Sequence, residues 1–354
     1  MLSIRLKMAL ILLLLISALC SAEEKAEKSG FWKGVAKPAP FGRPFWADMH
    51  SPLIRAEIAY ATNSPDYDWG NYNTNYRFFL YANLGADIPV WSGSFADGKY
   101  GLAVILPFMI DTWYDRFEPK TSPIINISYR FGAFDTSFIY RLDSPAQVLP
   151  HFNIYNWAIR VSPLKHESTH LGDELTIHRE NMDLPITRVD VLTNYLELIF
   201  TLNDPDNQRR LNHGFRFGFI FNYKFKDGWY TVLASEAQAD FVEASRFPFE
   251  FYLQYQFQSA LFSKGFQIIA SAEYRLRERF KYQYSYADSR ERFPLNKNIA
   301  NCFNVFAGIR YDNQKSNYFS KIGIGARYYF GINPYGQFRS MPYYHQVGLA
   351  VFFE

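Results

Sequence analysis

From residue 53 onward the chain alternates between apolar and polar side chains with a period of two. In the clearest stretch, 214–225, every second residue from Phe215 to Phe225 is Phe or Tyr, and the residues between them are mostly small or polar. The stretches 76–87, 249–258 and 266–277 alternate in the same way. Because successive side chains of a strand point to opposite faces, each stretch predicts a β-strand with one apolar and one polar face.

About fifteen segments carry this pattern, many of them about 10–12 residues long. Strands in soluble sheets usually have about 5–6 residues, whereas a tilted strand that crosses a bilayer needs about 9–11. Bacterial single-chain barrels have an even number of strands. We therefore predict an all-β, antiparallel transmembrane β-barrel of 12–16 strands, with 14 as the best single number. The segments lie near 53–62, 75–87, 100–110, 123–132, 133–142, 154–164, 171–178, 189–202, 214–225, 230–243, 249–258, 266–277, 303–312, 319–330 and 344–353.

Composition agrees with a membrane barrel. Aromatic residues make up 19% of the chain, and the mean hydropathy of −0.21 is that of a soluble protein. A barrel reconciles the two values, since only alternate residues contact lipid and the others face a wet interior. A soluble periplasmic β-protein remains the alternative, and in it the Phe215–Phe225 row would pack into a dry core.

The N-terminus predicts export. Arg5 and Lys7 precede an apolar run from Met8 to Leu19, and small residues end at Ala22. This arrangement predicts a signal peptide, 1–22, with lipidation at Cys20 as the competing interpretation. Residues 23–52 then predict a mobile N-terminal lead, and 53–354 the barrel domain. A cleaved signal leaves Cys302 as the single cysteine, which excludes a disulfide framework.

The C-terminal segment predicts a membrane and an orientation. Val347, Leu349, Val351 and Phe353 alternate to the end, which resembles the terminal strand by which outer-membrane barrels are recognised for assembly, although Glu354 follows the aromatic residue. The expected partners are thus the outer-membrane bilayer of a Gram-negative-type bacterium and its assembly machinery. With this strand descending to the periplasm, 331–343 and 278–302 become external loops and 226–229 a periplasmic turn.

Charge adds little to the functional prediction. The net charge of +3 is small and no basic tract is present, which argues against nucleic-acid binding. No glycine-rich phosphate loop occurs, and we predict no cofactor. These features favour a non-enzymatic barrel: a small pore, a ligand-binding barrel or a structural surface protein, with a small solute or lipid as the ligand.

One polar stretch, 165–174, contains candidate chemistry. His166 to His170 fits the zinc-protease pattern H-E-x-x-H, which requires a helix to bring both histidines to one metal. Pro163 and Gly172 argue against a helix, and on a strand His166 and His170 lie roughly 13 Å apart. We therefore predict no metal site.

The default interpretation of this stretch is a polar cluster within the lumen. In a regular strand that begins with Trp157 facing lipid, the histidines and serine of the stretch point inward, and a bulge at Pro163 would reverse them. As a binding or structural cluster it comprises His166, Ser168, His170, Asp173 and Glu174.

His166 and Ser168 also resemble the His-x-Ser pair of outer-membrane phospholipase A and the lipid A deacylases. In those enzymes the pair faces lipid, and an Asn or Glu on the next strand completes the site. The resemblance implies an acyl-ester hydrolase in which Glu180 orients His166, and His166 takes the proton of Ser168. The Asn that usually follows the serine in those enzymes is absent here, where position 169 is Thr.

A second resemblance concerns more of the chain. The stretch 166–174 looks like the H-x-S-S-H-L-G-D-E stretch of the bacterial family known as domain of unknown function 1207. Residues 45–48 are similar to the Leu-Ala-Asp-Pro-Arg segment of that family, although Met49 and His50 depart from it. The similarity implies an exported β-rich protein and no established activity.

Overall fold

The structure is a computed structural model that describes residues 41, 45–50, 52–62, 78–114, 124–150, 152–171, 189–204, 211–223, 231–234, 249–261, 265–278, 299–312, 321–332, 334 and 344–353. Among these residues none forms a helix with the length and apolarity needed to cross a membrane. The described backbone forms fourteen β-segments: β1 (Ile54–Thr62), β2 (Phe78–Phe95), β3 (Tyr100–Tyr114), β4 (Ile124–Gly132), β5 (Asp135–Leu149), β6 (Phe152–Leu171), β7 (Val189–Leu202), β8 (Leu211–Asn222), β9 (Thr231–Ala234), β10 (Phe249–Ala260), β11 (Phe266–Glu278), β12 (Ile299–Asp312), β13 (Lys321–Gly331) and β14 (Tyr344–Phe353).

The segments form one closed antiparallel ring. β1 pairs with β2 on one side and with β14 on the other, where Ile54 lies opposite Phe353. β4 and β5 share one place between β3 and β6, and β8 and β9 both pair with β7. The fourteen described segments therefore make twelve strands. Twelve lies within the predicted range, but the best single number of 14 is wrong, because two strands are interrupted and each was counted twice.

Apolar side chains cover the outside of the ring and polar side chains point inward. In β8, Phe217 is 48% exposed, whereas its neighbour Arg216 is 4% exposed. A dry interior for the described part of the Phe215–Phe225 row is thus excluded, and the predicted transmembrane β-barrel is confirmed. Exposed apolar residues follow the outward positions around the ring: Ile58, Leu84, Val161, Leu198, Phe217, Leu253, Ile268, Val305, Ile324 and Leu349.

Buried charges occupy much of the interior. Arg160 contacts Asp87 and Asp135, each at 2.7 Å, and these three side chains are almost fully buried. Across the ring, Arg327 Nη2 lies 2.7 Å from Glu57 Oε1. Buried charges need partners of this kind, since an unpaired charge away from water is strongly destabilising.

Residues 45–50 lie inside the barrel and narrow it further. The Trp46 ring stacks on Phe352 with 4.9 Å between the ring centroids, and its backbone N–H donates to Gln256 Oε1 at 2.9 Å. A Cβ at position 323 would lie 2.1 Å from the Trp46 ring, so Gly323 makes room for it. The predicted lead, 23–52, lies largely outside the described residues, but this part of it is a buried lumen segment.

The two ends of the barrel differ. β1 begins and β14 ends at one end of the ring, where the turn 96–99 also lies, and β6 and β11 end at the other. β8 and β9 both run antiparallel to β7, and they pair with successive parts of it. The predicted periplasmic turn at 226–229 lies outside the described residues. The signal peptide and the external position of the longer loops stay predictions.

Candidate functional site

A β-bulge in β6 reverses the direction of its side chains. Ser162 pairs with Glu197 of β7, and the next paired residue, Lys165, lies opposite Tyr195. Three residues of β6 thus cover the distance that two residues of β7 cover. One extra residue in a strand exchanges the inward and outward positions beyond it.

His166 and Ser168 consequently face outward. Lys165, Glu167 and Thr169 are the inward residues of this stretch, and the two between them point away from the lumen. The prediction of lumen-facing His166 and Ser168 is wrong, and the bulge at Pro163 is the physical reason. Arg160 and Ser162, which precede the bulge, face inward as predicted.

The neighbouring strand has a matching irregularity. Arg130 in β4 and Asp135 in β5 both point inward although an odd number of positions separates them. The reversal occurs at Ala133 and Phe134, and Phe134 adopts a positive φ of 55°. The Ala133 N–H donates to the Leu164 carbonyl at 2.9 Å, which ties the two irregularities together. In both strands the inward and outward positions are therefore exchanged at the same level along the barrel axis. This keeps their outward residues side by side.

Asn194 of β7 completes a polar constellation with His166 and Ser168. Asn194 is the direct cross-strand partner of His166, and His166 Nδ1 lies 2.8 Å from Asn194 Oδ1. Because an amide oxygen only accepts, Nδ1 donates and Nε2 is left as the acceptor. The Tyr223 N–H donates to the Asn194 carbonyl at 2.8 Å, which holds the backbone of this residue in the sheet.

Ser168 lies on the same outward face as His166, two residues along the strand. Two residues of a strand span about 6.6 Å, so the side chains are neighbours on one face. Ser168 pairs with Tyr129 of β4 and Leu192 of β7, and it is 9% exposed because its short side chain lies between these strands. This arrangement places a hydroxyl, an imidazole and an amide together on the outer surface.

The surroundings of the constellation are apolar. Phe131, the β4 partner of His166, is 48% exposed, and Leu164 in the bulge is 43% exposed. On β7, Leu198 and Phe200 continue the outward row from Asn194. Polar side chains in a lipid-facing belt are energetically costly, and in membrane proteins they indicate function more often than structure.

Sequence reasoning missed Asn194 and named Glu180 in its place. Glu180, Asp173 and Glu174 lie outside the described residues, and of His170 the structure describes only the strand backbone. The signal for Asn194 was a polar residue in the apolar row of the segment 189–202. The H-E-x-x-H stretch is a strand, as predicted, and within the described residues no group of three or more His, Cys, Asp or Glu side chains is placed to hold a metal ion.

A cavity of about 50 Å³ lies on the other side of the barrel wall. Lys165 and Glu167 line it together with Asp48 of the lumen segment, whereas His166 and Ser168 do not. This volume holds a few water molecules. The cavity is therefore separate from the outward constellation.

No family model matches the chain, and no curated protein matches it. Membership of the family known as domain of unknown function 1207 thus stays a prediction. Among solved structures, the chain is similar to the outer membrane phospholipase of Salmonella typhi, with 11% identity, a TM-score of 0.43, and 92% of this chain and 97% of that chain covered. It is also similar to LpxR from Salmonella typhimurium, with 10% identity, a TM-score of 0.33, and 84% of this chain and 99% of that chain covered. The outer membrane protein OprD from Pseudomonas aeruginosa has 7% identity and a TM-score of 0.27, with 85% of this chain and 91% of that chain covered. These neighbours are outer-membrane β-barrels, and the likeness is one of general architecture.

Proposed function

We propose that the protein is an outer-membrane hydrolase of lipid acyl esters, with Ser168 as nucleophile, His166 as general base and Asn194 as the residue that orients His166. The observation that carries the proposal is the His166–Asn194 hydrogen bond on the outward face, beside Ser168. A hydroxyl, a base and a group that orients the base are the parts that nucleophilic acyl transfer requires.

The reaction follows from the hydrogen-bond roles. Nε2 of His166 accepts the Ser168 hydroxyl proton while Oγ attacks the ester carbonyl, and the tetrahedral intermediate collapses to an acyl-serine. The imidazolium then gives its proton to the departing alcohol. In the second half, water attacks the acyl-serine while His166 takes a proton from it, and as the intermediate collapses the imidazolium returns that proton to the departing Ser168 Oγ, which releases the acid and restores both residues. Asn194 keeps Nδ1 protonated and the ring oriented throughout.

The substrate class follows from the position of the constellation. His166 and Ser168 lie on the lipid side of the wall, near the end of β6 that leads to the connection 172–188. A lipid whose acyl chains lie along Phe131 and Leu164 would present its ester bonds near this end of the barrel. Phospholipids and the ester-linked chains of lipid A are both of this class.

A small pore, one of the three non-enzymatic roles that the sequence alone favours, has less support than the hydrolase. Buried ion pairs and residues 45–50 occupy the described lumen, and the cavity beside Lys165 and Glu167 has room for a few waters. Two residues of the predicted lumen cluster, His166 and Ser168, face outward instead of into the lumen. Outer-membrane location, export by the signal 1–22 and assembly through β14 belong to the proposal.

The test is hydrolysis of phospholipid and of lipid A in mixed micelles by the purified barrel. We expect Ser168→Ala and His166→Ala each to lower kcat by about 10³-fold or more. Ser162→Ala is the matched control, because this serine lies on the same strand but faces the lumen, and it should retain activity. A fluorophosphonate probe should label the wild type at Ser168. A wild type that cleaves neither lipid and takes no label would exclude the proposal.

A further inference from the structure

We infer that Glu167, through its ion pair with Arg130, is a positioning residue for Ser168 and His166; this inference rests on the proposed function. Glu167 lies between the two in sequence, and its side chain points into the lumen, whereas theirs point outward. Whatever holds its side chain in the lumen therefore holds its neighbours on the outer surface.

Three buried side chains form what we term the lumen clamp: Asp111 of β3, Arg130 of β4 and Glu167 of β6. Arg130 Nη1 lies 2.9 Å from Asp111 Oδ2, and Arg130 Nη2 lies 3.3 Å from Glu167 Oε1. All three side chains are at most 8% exposed. The clamp thus connects three successive strands directly behind the outward constellation.

Neighbouring contacts hold the same stretch. Lys165 forms an ion pair with Glu197 of β7, and Thr169 Oγ1 lies 3.2 Å from Ser128 Oγ of β4. Together with Glu167, these are the inward residues after the bulge whose side chains the structure describes, and each is tied to an adjacent strand. Such contacts matter here because the bulge leaves β6 free to shift by one residue unless its inward side chains oppose it.

A shift of β6 by one residue would be energetically costly on both faces of the barrel wall. It would move the charges of Lys165 and Glu167 toward lipid and carry His166 and Ser168 into the lumen. The ion pair of Glu167 with Arg130 opposes this movement at the residue nearest to Ser168. Loss of the Glu167 charge should therefore disorder the constellation without altering any group that contacts substrate.

The experiment compares Glu167→Gln with Glu57→Gln. Glu57 is the matched control, since it is a buried carboxylate 2.7 Å from an arginine, Arg327, with three barrel strands between it and β6. We expect Glu167→Gln to lower kcat and the rate of fluorophosphonate labelling of Ser168 about 10-fold, with KM nearly unchanged. Glu57→Gln should lower resistance to urea to a similar degree and leave kcat and labelling unchanged.

Three results would overturn the inference: a Glu167→Gln protein with wild-type kcat, equal loss of kcat in both variants, or a rise in KM alone. If Glu167→Gln does not fold, Glu167→Asp takes its place. This variant keeps the charge but shortens its reach, and it should lower kcat several-fold; wild-type kcat would again overturn the inference. Failure of the proposed function is distinguishable, because the wild type itself would then neither cleave lipid esters nor take the label.

Discussion

His166 of β6 and Asn194 of β7 lie directly opposite each other, and their side chains are joined by a hydrogen bond of 2.8 Å on the outer face of the barrel. Cross-strand partners on one face have Cβ atoms about 4.5–5.5 Å apart, which allows a short amide to reach an imidazole. The pairing register, and therefore the bulge that sets it, decides that these two residues meet.

Removal of the Asn194 amide should impair catalysis more than folding. We expect Asn194→Ala to lower kcat by about 10²-fold or more, because His166 loses the group that fixes its tautomer and ring orientation. Asn194→Asp keeps an acceptor and should retain more activity than the alanine variant. Kinetics with a soluble acyl ester measure both.

Glu180→Ala is the comparison variant, since sequence reasoning assigned the orienting role to that residue. It should keep wild-type kcat. A large loss in Glu180→Ala with full activity in Asn194→Ala would contradict the assignment of Asn194.

The outward direction of His166 and Ser168 can be measured by lipid-phase quenching. Single cysteines introduced by His166→Cys, Ser168→Cys and Glu167→Cys, in a Cys302→Ala background, would carry a fluorophore in liposomes. Labels at 166 and 168 should be quenched by brominated acyl chains, whereas the position 167 thiol should be poorly labelled and weakly quenched. The opposite pattern would mean a regular strand without a reversal at Pro163.

The lumen segment 45–50 should keep the barrel closed to ions. We expect the wild type to give little steady conductance in planar bilayers, and deletion of residues 45–50 to raise it, because Trp46 and its neighbours occupy the lumen beside Phe352. Trp157→Ala, an aromatic truncation on the outward face, is the control and should not conduct. Steady wild-type conductance would contradict a closed lumen.

Gly218→Ala should destabilise the barrel by about 1–3 kcal/mol, the usual cost of overpacking. A Cβ there would lie 1.9 Å from Tyr252 Cζ, so the ring and its hydrogen bond to Glu197 would have to move. Urea unfolding in liposomes measures the change. Gly98→Ala is the control for backbone strain alone, since its φ is +82° and no atom lies within 4 Å of the added Cβ; it should cost less.

Much of the architecture was predictable from local pattern. Alternation in the chain predicted a segment at each described strand, although several strands extend beyond the predicted bounds, and polar residues such as Arg216 and Gln254 were correctly assigned to the inner face. The strand number was not predictable in the same way. Whether 133–142 starts a new strand or continues β4 depends on its partners, and both β4 and β5 pair with β3 and β6.

By itself the sequence determined that the chain alternates, that its apolar faces are too many for one dry core, and that His166 and Ser168 share a face, since side-chain direction within a strand depends only on spacing. The tertiary structure decided which side of the wall that face is on. One extra residue at Pro163–Leu164 exchanges inside and outside, and its place is set by pairing with β7 and by the buried charges of Lys165 and Glu167. These contacts join residues far apart in the chain, and so does the meeting of His166 with Asn194.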